Sequence, residues 1–139
     1  LAPDGFGSLL FAEEQADFLA SFLVTTSGAS TSAGLLLRMD EKMETGYQLC
    51  LDPSRRRVAL RSWNPFGDTT PLQDRPLPSR ARRLKCQVFL QGSAVEVFVN
   101  DRVSLTYRLY NRSTGRLGLF VQNGSARFEQ LAVYRRSIP

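Results

Sequence analysis

The stretch Gly92–Tyr110, GSAVEVFVNDRVSLTYRLY, alternates apolar and polar residues on both sides of an Asn-Asp pair. Val95, Val97 and Val99 fall on one face of an extended chain and Glu96, Phe98 and Asn100 on the other, because successive strand side chains point to opposite sides. Asn and Asp tolerate positive φ better than other non-glycine residues, so Asn100-Asp101 predicts a two-residue hairpin turn. Val103, Leu105 and Tyr107 then run back as the second arm.

The same period of two extends outward from this hairpin. Phe18, Ala20, Phe22 and Val24 alternate with Leu19, Ser21, Leu23 and Thr25; Gly34–Asp40 reads as a further strand. Tyr47, Leu49 and Leu51 share a face opposite Gln48 and Cys50, and Val58–Trp63 follows. Cys86, Val88 and Leu90 lead into the Gln91-Gly92-Ser93 turn. Towards the C-terminus, GRLGLFVQ meets Asn123-Gly124, the strongest short hairpin signal in the chain, and ARFEQLAVYR follows. Pro65, Gly67, Pro71, Pro76 and Pro78 mark Asn64–Pro78 as the main loop. No useful length has a 3.6-residue period. Roughly ten short strands joined by turn chemistry predict an all-β fold, an antiparallel two-sheet sandwich or jelly roll, in which one outer face is free to bind.

The 139 residues fit one domain with a core that needs no staple. No apolar run approaches the ~20 residues of a membrane-spanning helix. The chain opens on Leu1, and Leu1–Gly7 lacks the features of a signal peptide, so residues 1–139 are expected to be one module of something larger. The net charge of +5 raises nucleic acid as a partner. Its arginines, however, fall in short clusters (Arg55-Arg56-Arg57, Arg80 with Arg82-Arg83-Lys85, Arg135-Arg136) beside turns and strand ends, as on a solvated rim; no nucleic acid is expected. Asn111-Arg112-Ser113 and Asn123-Gly124-Ser125 are glycosylation sequons by pattern.

The chain has no histidine, which excludes a Ser-His-Asp triad, a Cys-His pair and histidine-ligated metals. Cys50 and Cys86 lack metal-ligand spacing and are either two buried thiols or one inter-strand disulfide. Asp4, Asp17 and Asp52 offer oxygen ligands to calcium without a compact loop spacing, so no metal or cofactor is expected. Asp40, Glu41, Glu44 and Asp52 are the candidates for a glycosidase pair of carboxylates; the first three cluster at one predicted turn beside Lys42, which reads as a solvated loop. Tyr47 and Trp63, the single tryptophan, are candidates to present a ring to the C–H face of a sugar.

DGFGSLLFAEEQADFLASFLVTT, AGLLLRMDEKMETGYQLCLDPSRRRVAL, LKCQVFLQGSAVEVFVNDRVSL and TGRLGLFVQNGSARFEQLAVYR resemble, in that order, the concanavalin A-like β-sandwich attached to glycoside hydrolase family 32 enzymes such as levanases and other β-fructosidases. Within that superfamily the chain is most similar to carbohydrate-binding module family 66, over Asp4 to about Tyr134. The resemblance implies a secreted, non-catalytic module that binds the terminal fructose of levan or inulin and targets a partner catalytic domain to polymer. It implies a ligand site at the end of the GLLLR strand and after the GLFV strand, hence Arg38, Asp40, Gln122 and Asn123. Fructan-binding modules carry a tryptophan near the position of Gln122, for which Trp63 is the candidate replacement. Arg38 and Asp40 share strand parity and are expected to leave one face together, where guanidinium and carboxylate can bridge vicinal hydroxyls; a surface ion pair is the plainer reading. The alternatives are a structural accessory sandwich and a lectin-like module for another glycan.

Overall fold

The computed structural model describes residues 5–28, 30–63, 71–77, 82–109 and 114–135. Among them the alternating segments form eleven strands: β1 (Phe6–Gln15), β2 (Phe18–Thr26), β3 (Ser32–Met39), β4 (Gly46–Asp52), β5 (Arg57–Trp63), β6 (Pro71–Pro76), β7 (Arg83–Gln91), β8 (Ala94–Val99), β9 (Val103–Arg108), β10 (Gly115–Gln122) and β11 (Ala126–Arg135). They make two antiparallel sheets, one in the order β1-β10-β3-β4-β5-β6 and the other β11-β2-β7-β8-β9. The expected all-β sandwich is therefore present.

Strand parity fixes what lies between the sheets. Phe18, Ala20, Phe22 and Val24 of β2 meet Leu35 and Leu37 of β3, Leu49 and Leu51 of β4, and Val95, Val97 and Val99 of β8 in one buried cluster. The opening hairpin is formed, with Asn100 and Asp101 at φ of 53° and 57°, but Val99 pairs with Val103, so the connection has three residues rather than two.

Three readings need correction. Asn123-Gly124 does not close a hairpin, because β10 is already paired on both edges, by β1 and β3. The turn is instead a corner that passes the chain to the other sheet, where β11 pairs with β2. The proline-rich segment contains β6, paired to β5; its two prolines sit at the ends of an edge strand, where an amide without a ladder partner can be lost. Positions 64–70 lie outside the described residues. Third, β1 is a strand that the alternation around Phe18 did not reveal.

Arg38 departs most from the expected pattern. Arg116 pairs with Met39 and Gly118 with Leu36, so Leu37 and Arg38 together oppose Leu117, a β-bulge with Arg38 at φ 49°. The bulge inverts parity: Met39 turns to the outer face with Leu36, and Arg38 turns inward to 1% exposure. Arg38 is thus inside, whereas Asp40 falls beyond the end of β3 in a turn, so the two do not line one exposed face. The Arg38 Nη2 donates to the carbonyls of Ala16, at 3.1 Å, and of Gly92. The Asp17 Oδ1 accepts the Gly92 amide at 2.8 Å. Burial lowers the Arg38 pKa from its ordinary value and the nearby Asp17 carboxylate opposes this. Gly115 lies against the Arg38 backbone so closely that a Cβ there has no room.

Replacing Arg38 by Met strands the Ala16 and Gly92 carbonyls and is expected to remove about 2–4 kcal/mol of stability in urea unfolding. An unchanged midpoint would show that the buried guanidinium contributes nothing.

Candidate functional site

The central strands of the six-stranded sheet are buried on both faces: every residue of β3 and all but Asp52 of β4. Their outward side chains form a second apolar cluster of Leu36, Met39, Cys50 and Phe120, with Phe6, Leu10, Met43 and Trp63 partly buried against it. The Phe6 ring lies 5.8 Å from Phe120, nearly parallel, and 5.3 Å from Trp63. Trp63 is held by its Nε1, which donates to the Met43 carbonyl at 2.8 Å. These contacts make an aromatic shelf with its polar handle already satisfied.

Polar groups border the shelf in strand register. Gln48 pairs with Arg61 across β4 and β5, and Gln122 lies between Phe6 and Ser32. Directly opposed residues of an antiparallel pair share a face, so all of these point outward with Trp63. Arg61 is half-buried; its Nε is buried without a hydrogen-bond partner among the described residues. Its positive charge and the Ser32 hydroxyl stabilise the Cys50 thiolate, but burial dominates and pushes that thiol's pKa up. The face thus combines ring surface with an arginine fork held at its edge.

The residues expected from sequence divide three ways. Trp63 and Gln122 stand on this outer face, linked through Phe6. Asp40 and Asn123 are turn residues at its margin: the Asp40 Oδ1 accepts the amides of Glu44 (2.6 Å) and Thr45 (3.2 Å), while Asn123, at φ 62°, donates its amide to the Gly5 carbonyl. Arg38 and Tyr47 are corrections. Arg38 is inside, as described, and Tyr47 is 5% exposed in the core between the sheets, on the opposite face of β4 from Gln48. Phe6, Gln48, Arg61 and Phe120 were not singled out from sequence. The signal for Gln48 was available, since it and Tyr47 have opposite parity.

Other expectations resolve by position. Both cysteines are free and buried, Cys86 in the inter-sheet core and Cys50 on the outer face, so the sandwich separates them. Asp17 lies at the Arg38 end of the sandwich. Asp52 accepts the Ser54 hydroxyl and the Arg55 amide at the other end. Asp4, Asn111-Arg112-Ser113, Arg80 and Arg136 lie outside the described residues.

A closed pair of antiparallel sheets, with six and five strands, defines the concanavalin A-like, jelly-roll class of β-sandwich. Residues 3–135 match the family model of the glycosyl hydrolases family 32 C-terminal domain. The chain belongs to that family. Among solved structures it is similar to carbohydrate-binding module CBM66 from Bacillus subtilis, with a TM-score of 0.84 and 20% identity over 96% of this chain and 84% of that one. It is also similar to the fructosyltransferase from A. japonicus (TM-score 0.74, 18% identity, 96% of this chain and 25% of that one). A third likeness is to lactose- and MES-liganded congerin II (TM-score 0.65, 8% identity, 92% and 98%). At these identities the likeness is one of fold. No curated protein shows a significant match to the sequence.

Burial raises the pKa of both thiols above that of an exposed cysteine, which keeps each protonated at neutral pH. Only the thiolate attacks an alkylating reagent. At pH 8 the folded chain should therefore take up iodoacetamide at neither cysteine, and both should react at the ordinary rate in urea. Because the folded pKa values are raised, the stability they contribute is complete below pH 9 and is lost as pH rises above it.

Proposed function

We propose that the chain is a non-catalytic carbohydrate-binding module that receives the terminal fructose of a fructan on the outer face of its six-stranded sheet. The observation that carries this reading is the aromatic shelf of Trp63 and Phe6 beside the half-buried Arg61, whose Nε makes no hydrogen bond among the described residues. A ring face packs on sugar C–H groups, and a guanidinium offers a planar fork of donors to hydroxyls. Gln122 adds an amide to the same face. Family membership supports attachment to a glycoside hydrolase, and the likeness to a carbohydrate-binding module supports the ligand class. In a secreted enzyme such a module would act by effective concentration, turning encounter with a polymer into a nearly intramolecular event. Asp40 and Asp52, the acids bordering this face, are engaged in turns, which fits binding without hydrolysis.

A second reading, an accessory sandwich that packs on a catalytic domain, draws on the outer face of the five-stranded sheet. There Tyr134, Leu19 and Phe89 are consecutive cross-strand partners, with Tyr134 61% and Phe89 39% exposed.

Titration calorimetry against levan, inulin, fructose and an unrelated glucan separates the two. Trp63→Ala and Arg61→Gln are each expected to weaken levan binding by about tenfold or more. Binding of another glycan in place of fructans would make the chain a lectin-like module. No binding of any glycan at millimolar concentration would sink the binding role and leave the accessory one.

A further inference from the structure

The five-stranded sheet carries a polar site of its own, at the end away from Arg38. Arg127 of β11, Thr25 of β2 and Arg83 of β7 are direct cross-strand partners. Their side chains therefore share the outer face in one row, with the two arginines separated by two strand spacings, about 10 Å. Beside the row is a hollow of about 540 Å³ lined by Thr25, Thr26, Ser27, Ser125, Ala126 and Arg127. Arg82 reaches its rim, where the Nη1 donates to the Ser27 carbonyl at 3.5 Å.

These cations are not matched by local acids. The ion pairs among the described residues use Arg55, Arg57, Lys85, Arg116 and Arg135. Glu129, one row further in opposite Leu23, is half-buried and pairs with neither Arg83 nor Arg127. Hydroxyls add donors: the Ser27 Oγ accepts the Ser125 amide at 2.9 Å, which leaves its own hydrogen free.

We propose that this row is an oxyanion site for an acidic polysaccharide, with a carboxylate or sulfate seated between Arg83 and Arg127 over the hydroxyls of Thr25 and Ser27. Guanidinium forks match both anions, and charge-assisted bonds are the strong ones. A nucleic-acid strand fits less well, because among the described residues no aromatic side chain lines the hollow to stack a base. The site stands on the opposite sheet from the shelf of Trp63, so its fate is independent of fructan binding.

The test is binding of the chain to polygalacturonate and to dextran sulfate at about 20 mM and about 300 mM salt, with an arbitrary DNA duplex alongside. The double variant R83Q/R127Q should weaken binding by about tenfold and flatten its salt dependence. R102Q/R108Q, which removes the same charge from β9 and its turn, should change it by less than about twofold. Preference for one polymer identifies the anion as carboxylate or sulfate. Equal losses in both double variants would reduce the effect to net charge and overturn the site. So would failure of both polymers to bind at low salt, or equally tight binding of the DNA.

Discussion

The Arg38 guanidinium ties the two sheets together at one end of the sandwich. Its backbone belongs to the six-stranded sheet, whereas Ala16 and Gly92 lie in turns that lead into and between strands of the five-stranded one. A charge at 1% exposure is tolerable only when it is compensated, and here Nη2 donates to two carbonyl oxygens while the neighbouring Asp17 carboxylate offsets part of the cost of burial. The bulge that points Arg38 inward also turns Met39 outward. One backbone irregularity therefore both pins the sheets together and supplies apolar surface to the face that carries Trp63. Gly115, packed on the Arg38 backbone, is the complement that lets β10 approach the bulge.

That dual role explains why the end of β3 misleads a reader of the sequence. Regular alternation makes Arg38 and Asp40 companions on an exposed face, whereas the extra residue opposite Leu117 turns Arg38 inward and Asp40 falls past the strand end in a turn. A bulge is a pairing property, fixed by β10 some eighty positions later, and leaves no local mark in GLLLRMD. The Asn123-Gly124 corner fails to be a hairpin for a similar reason: its turn chemistry is local, but the occupancy of both β10 edges is not. By contrast, the inward faces of β2, β4, β7 and β8 follow directly from alternation, because each strand pairs regularly along the stretch that the core covers.

The candidate face was partly legible. Trp63 and Gln122 lie on the outer face of the six-stranded sheet, whereas Tyr47 is lost to the core by parity. Phe6 and Phe120 could be placed on one face only once β1 was known to pair with β10. Arg61 looked like one more surface arginine until its register with Gln48 set it against a buried strand.

The two outer faces differ in what they can accept. On the six-stranded sheet, the apolar cluster fixes ring and guanidinium before any ligand arrives, so little side-chain freedom remains to be lost on binding. That arrangement suits a small neutral unit such as one sugar ring, which offers few contacts. On the five-stranded sheet, Arg83 and Arg127 are exposed and mobile about their long stems, and they attract through charge rather than shape. A repeating anion suits that face, because many weak contacts along a polymer compensate for each one's lost entropy. The two faces thus differ in physics, rings and a guanidinium over a packed cluster on one and a row of exposed arginines on the other, and the inter-sheet core lies between them.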